Sequence, residues 1–498
     1  MKLSIKRTCA VLLGLSALAA TSCKEDILNI TPLANNTAND FYQDENQVNQ
    51  GVMAIYNATL SLPQSSNTNM SEVRSDNILV AALNVQRDYN DISNFLVTSQ
   101  LGQIQTTWTD LYGIVYRSNI LLEKIQPFQF ARVPQFQGEA RFLRALAYFN
   151  LVRYFGAVPL TDKVVSIAEA KVIPRTPVAD VYSFIVEDLK YAAENLPVTY
   201  AADNKGRATK WAAKALLGRV YLTMYGYPLK QADKLALAKK ELGDVMAQEG
   251  VAGAVAANYA DIFKTVNDNK YSVFEIQYIS GGAGLGSTVP WDQAFQFPSQ
   301  WAAYQPSGLD AQVAPDLLGA GWPNMDTRKA ATLDSGYVDT KTNFKSGRIQ
   351  FTKFLEKGTT APANNRDYPN NFPIIRFEDV LLMYAEVLNE EASTPPAQAI
   401  AILNRIRTRA GVPDVQPATK EEFRLAMERE RRWEFAAEGL RWHDLVRTER
   451  AIPVMNKFAT DNAIKLSRPI NETDLIFPIP LNELRINPGF WQQNTGYN

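Results

Sequence analysis

Apolar residues recur at helical spacing along most of the chain. Val48, Met53, Ile55, Tyr56 and Leu60 form the first such run, and Pro63 is expected to end it. A longer helix is expected over 104–125, carrying Trp108, Leu111, Tyr112, Val115, Asn119 and Leu122 and stopped by Pro127. The strongest pattern covers 139–155, where Phe142, Leu143, Leu146, Phe149 and Val152 line one side before Gly156 and Pro159 close it. Residues 178–196, 209–225 and 231–248 repeat the design, and helices return at 377–389, 397–410 and 420–440.

Paired helices at spacings of roughly 30–40 residues point to a repeat architecture. Leu217-Gly218-Arg219-Val220-Tyr221 matches the L-G-x-x-Y core of a tetratricopeptide helix. There the glycine admits a close partner helix and the tyrosine packs across it. Lys214 stands where that repeat prefers Trp, so the unit is degenerate. Such pairs cannot bury their apolar faces alone and stack into a scaffold. Residues 271–375 break the pattern. A strand over 271–279 leads into the Gly-rich run Gly281 to Ser287, and a short strand is expected near 348–354. Long irregular insertions on a rigid scaffold usually carry function. Near the end, Phe477-Pro478-Ile479-Pro480 must be extended, and 487–498 reads as a docked tail.

The N-terminus changes the picture. Lys2, Lys6 and Arg7 precede an apolar stretch, Cys9 to Ala20, that is too short to span a bilayer and suits a signal peptide. Small residues then lead to Cys23, which reads as a bacterial lipobox whose cysteine becomes lipidated. The organisation expected is a signal peptide over 1–22, a lipidated polar tether over 23–40 and a single domain over 41–498. Within that domain the helical scaffold occupies about 41–270 and 376–450, and the loop-rich region about 271–375. Cleavage removes Cys9, so the mature chain has one cysteine and no internal disulfide. The net charge of −1 argues against nucleic acid as a partner.

Candidate catalytic chemistry is sparse. The single histidine, His443, excludes H-E-x-x-H zinc sites and lies among structural-looking aromatics. The Gly-rich run lacks the third glycine and the following helix of a dinucleotide site. Of the many carboxylates only Glu275, Asp292 and Asp310 stand out as worth watching, and Asp326-Thr327-Arg328 reads as a local ion pair. No cofactor, metal or catalytic residue is expected.

A set of ordered runs then carries a resemblance. These include Gly138-Glu139-Ala140-Arg141-Phe142-Leu143-Arg144-Ala145 through Tyr154-Phe155-Gly156-Ala157-Val158-Pro159, then Gly206-Arg207-Ala208-Thr209-Lys210, and Leu382-Met383-Tyr384-Ala385-Glu386. Glu428-Arg429-Glu430-Arg431-Arg432 leads into Arg441-Trp442-His443-Asp444-Leu445. Nearly end to end, the chain resembles the SusD/RagB lipoproteins, outer-membrane ligand-binding subunits of Bacteroidetes nutrient importers. The resemblance implies a mostly α fold: a tetratricopeptide-like α-α superhelix with a long loop-rich insertion containing short strands. It also implies a non-catalytic lid that captures an oligosaccharide or a peptide over a SusC-like TonB-dependent transporter, anchored to the membrane through its lipid.

The ligand site must be argued from chemistry. Sugars offer C–H faces for aromatic stacking and hydroxyls for polar side chains. Residues 291–304 hold five aromatics among fourteen residues, interleaved with Gln293, Gln296 and Gln300. Trp301 and Tyr304 are the main ligand candidates. Trp291 either joins them or anchors the loop, and Phe295 and Phe297 read as core. A second polar patch offers Arg74, Asp76 and Asn77 as hydroxyl partners, although Asp76 and Asn77 equally suit a turn cap. The aromatic loop favours glycan over peptide, and a surface glycosidase is the remaining alternative.

Overall fold

The computed structural model describes residues 41–80, 88–293, 311–335, 349–356, 362, 364 and 366–497. The chain divides into two compact units, Met1–Asn49 and Gln50–Asn498. Its longer helices are α1 (Glu45–Ala58), α2 (Gly102–Lys124), α3 (Val133–Phe155), α4 (Val178–Asn195), α5 (Lys210–Tyr225) and α6 (Lys234–Met246). After the insertion come α7 (Phe377–Glu391), α8 (Ala397–Arg409), α9 (Lys420–Glu434), α10 (Arg441–Arg447) and α11 (Ala451–Asp461).

From α2 each helix packs on the next as far as α7, which packs on both α8 and α9. The run crosses from α6 to α7 although residues 247–376 intervene, so the insertion leaves the stack unbroken. This is the nearest-neighbour order of a helical-repeat scaffold. Its centre is α3, which is buried on nearly every side rather than along one stripe: Ala140, Tyr148, Leu151 and Tyr154 are as enclosed as Phe142 and Phe149.

Gly218 explains the close approach of α5 and α6. A Cβ there would lie 2.6 Å from Leu242 Cγ, inside contact distance. Lys214, in place of the repeat's usual Trp, donates to Glu241 Oε2 at 2.7 Å and Asp244 Oδ2 at 2.6 Å, tying the same two helices by charge.

Two boundaries differ from the pattern-based reading. Pro63 does not end the helical path but opens a π-helix, Pro63–Glu72. Proline is tolerated at a first helical position because its missing N–H would have no partner there. The expected helix over 420–440 stops at Glu434. Ala437 and Gly439 adopt positive φ of 70° and 75°, and α10 starts afresh. A Cβ at 439 would strike the Asn67 backbone, so only glycine fits this turn.

The strands are short and pair antiparallel: Ile78–Val80 with Ala311–Val313, Ser272–Ile276 with Phe372–Arg376, and Leu333–Ser335 with Ile349–Phe351. Beneath them lies a buried ionic lattice. Glu434 accepts from Arg376 and Arg328 at 2.8 and 2.9 Å and also from Arg409, while Glu438 accepts from Arg376 at 2.9 Å and Lys353 at 2.5 Å. Asp326 and Arg328, read from sequence as a local pair, are joined at 2.7 Å and tied into the same lattice through Glu430 and Glu434. The loop-rich insertion is thereby fastened to α7, α8 and α9.

Candidate ligand-binding faces

The polar patch at 71–77 is built into the scaffold. Arg74 is buried, donates to the Ile92 and Asp474 carbonyls at 2.9 and 3.0 Å, and lies 3.7 Å from the Phe95 ring centroid. Asp76 accepts a bidentate pair from Arg441 at 2.7 and 2.8 Å. Burial pushes the Asp76 carboxyl up, but Arg432 and Arg441 outweigh it and hold the group well below the usual carboxylate range. Asn77 donates to Glu72 Oε1 at 2.8 Å and accepts from Arg432 Nε at 2.9 Å. Glu72 in turn accepts from the backbone N–H groups of Ala437 and Gly439. These side chains secure the π-helix to the turn before α10, and their hydrogen bonds run into the protein.

Val80 and Ala311 are register partners at one end of their ladder, and Ser335 and Ile349 close another. The strands Ala311–Val313 and Ile349–Phe351 pack together, so both ladders stand side by side. The aromatic-rich loop departs from the short helix Val289–Gln293, which packs on the π-helix. Gln293 donates to the Ala437 carbonyl at 2.8 Å, and Thr288 to Gln64 at 2.9 Å. Trp291 is 8% exposed at the root of this loop. Trp301 and Tyr304 lie outside the described residues, as does Cys23.

A second aromatic face escaped the sequence reading. A groove of 430 Å³ runs along α2, lined by Trp108, Tyr112 and Tyr116 and closed by Phe490 and Trp491 of the C-terminal tail. Trp108 lies 4.9 Å from Tyr112 and 6.4 Å from Trp491, centroid to centroid. Tyr116 and Phe490 are 56% and 42% exposed, well above what a core aromatic shows. The tail is docked as expected: Trp491 Nε1 donates to the Ile173 carbonyl at 2.9 Å.

His443 is half-buried against Tyr154, 4.9 Å between centroids. Burial, then Arg153 and Arg219, drive its pKa well below the usual range, so the ring is neutral near pH 7. It makes no hydrogen bond to a hydroxyl or carboxylate among the described residues, as a catalytic triad would need.

The stacked helix pairs, with a loop-rich insertion fastened to them, define a helical-repeat scaffold. The SusD family profile matches residues 319–497, and a second, described as starch-binding associating with outer membrane, matches 29–222. The SusD-like protein P25 of Formosa agariphila is 26% identical, covering 96% of this chain and 97% of that one. A SusD-like protein of Bacteroides ovatus is 27% identical over 89% of this chain and 83% of its own. Among solved structures, a laminarin-binding SusD-like protein superposes with a TM-score of 0.76 at 26% identity, covering 92% of this chain and 100% of that one. These matches make the chain SusD-like along nearly its whole length.

Proposed function

We propose that this protein captures oligosaccharides at the outer surface of an outer membrane and delivers them, chemically unchanged, to a partner TonB-dependent transporter. The observation that carries this reading is the nearly full-length likeness to a laminarin-binding relative in both sequence and fold. The signal peptide and lipidated Cys23 supply export and anchorage. In this reading Trp301 and Tyr304 stack on sugar rings, with Trp291 at the loop's root, while the lattice beneath holds the strand ladders that carry the loop.

Carbohydrate recognition needs aromatic faces edged by hydrogen-bonding groups, and the 291–304 segment supplies five aromatics interleaved with Gln293, Gln296 and Gln300. The test is isothermal titration with a panel of oligosaccharides and peptides, using wild-type protein, Trp301→Ala/Tyr304→Ala and Tyr116→Ala/Phe490→Ala. Loss of glycan binding in the first variant with an unchanged circular dichroism spectrum supports the loop as the site. Loss only in the second moves the site to the α2 groove. Binding of peptides and of no glycan refutes the glycan reading.

A further inference from the structure

Four arginines and the single histidine meet where α3, α5, α9 and α10 come together. Arg153, Arg219, Arg431, Arg447 and His443, with Asp444, line a chamber of 20 Å³. An adjoining cavity of 240 Å³ shares Arg153, Thr223, His443 and Arg447 with it and is further lined by Tyr182, Tyr227 and Glu472.

The charges here do not balance. Asp379 serves both Arg219 and Arg431. Asp444 serves Arg431 at 2.8 Å and Arg447 at 2.9 Å, and Glu386 takes Arg447 in a bidentate pair. Three carboxylates thus meet three arginines. Arg153 is the fourth cation, and it forms no ion pair among the described residues. Its Nε donates to the Phe149 carbonyl at 3.0 Å and its Nη2 to Asn150 Oδ1 at 2.6 Å, both neutral groups on its own helix.

Donors are also left over. Arg219 is 9% exposed and spends both of its hydrogen bonds through Nη2, on Asp379 and on the Ile374 carbonyl. Its Nε is buried with no acceptor among the described residues. A buried N–H without an acceptor is destabilising, and Arg153, half-buried over the Phe149 ring at 3.9 Å, brings a charge that no carboxylate among the described residues meets. Surplus positive charge and the unclaimed Arg219 Nε around one small space call for an anion.

We propose that the chamber binds one small monovalent anion of halide size, ligated by the guanidinium groups of Arg153 and Arg219 beside His443. Its volume exceeds the roughly 10–15 Å³ that one water-sized species needs, and the 240 Å³ cavity that shares its lining provides the approach. A bound anion neutralises the fourth arginine and joins α3, α5 and α10 through a single centre. The site is chemically unrelated to sugar capture, and its failure would leave the glycan reading untouched.

Crystals of the full chain grown or soaked in sodium bromide test this directly. The expected result is an anomalous bromide peak within hydrogen-bonding distance of Arg153 and Arg219. In solution, the imidazole NMR signal of the one histidine is followed while sodium chloride replaces sodium gluconate at constant ionic strength. A saturable shift is expected, and it should vanish in Arg153→Gln. An ordered water at the position with no anomalous signal overturns the proposal, as does a shift that gluconate reproduces. The bromide experiment uses wild-type protein, so it stands even where Arg153→Gln fails to fold.

Discussion

At the scale of single residues, two buried glutamates show how position decides charge. Glu434 is fully enclosed, yet Arg409, Arg376 and Arg328 outweigh the burial penalty and hold its carboxyl well below the usual range. Glu434→Gln leaves three arginines short of one counter-charge, and removal of one partner from such a pair costs about 3–5 kcal/mol. Chemical denaturation should therefore show a loss of that size. Glu275 is the opposite case. Burial, reinforced by Asp268, raises it from 4.5 to about 8, so the folded protein holds its proton at pH 7. Between pH 4.5 and 8 the native state binds more protons here than the unfolded chain does. This group's contribution to stability is therefore complete at low pH and is lost as pH rises through that window. Glu275→Gln should flatten the decline, read as melting temperature against pH. Arg74, Asp76 and Asn77 illustrate the limit of reading residues in isolation. Their polar cluster resembled a ligand set because Arg441, the partner of Asp76, lies 365 positions away.

Among the elements, the α5–α6 contact was legible in outline. The L-G-x-x-Y run announced a close helix pair, and Gly218 facing Leu242 is its physical basis. Gly218→Ala should destabilise the protein by about 1–3 kcal/mol through overpacking, measurable by urea unfolding, whereas Gly113→Ala, with open space around it on α2, should stabilise by about 0.5–1 kcal/mol. The helical stack as a whole was readable because amphipathic periodicity is local. The π-helix was not, because a proline after an apolar run reads the same whether it closes one helix or opens the next. The spacing carries the helix on to 440 for a related reason: the turn at 435–440 is held by Glu72, far away in sequence. The groove along α2 was hidden because Trp108 and Tyr112 come from a helix whose partners, Phe490 and Trp491, close it from the far end of the chain.

For the whole molecule, the helical stack is the frame on which the strand ladders of the insertion are fastened, and the proposed lipid at Cys23 can be tested apart from it. Cys23→Ala should abolish incorporation of a radiolabelled fatty acid and shift the protein from the membrane fraction to the soluble one; unchanged labelling would remove the lipid anchor from the account. The family and scaffold were readable from ordered motifs spread along the chain, because those motifs supply charged pairs and apolar faces that hold the helices together, such as Glu139 with Arg207 and Arg144 with Asp188. The ligand was not, because the residues that hold a fold together do not report what its loops touch. The central claim is that the protein captures glycans, and titration calorimetry of the purified wild-type protein against laminarin, starch, xyloglucan and a peptide mixture tests it most directly. The account predicts saturable binding to at least one glycan and none to the peptides; binding to the peptides alone, or to nothing in the panel, would contradict it.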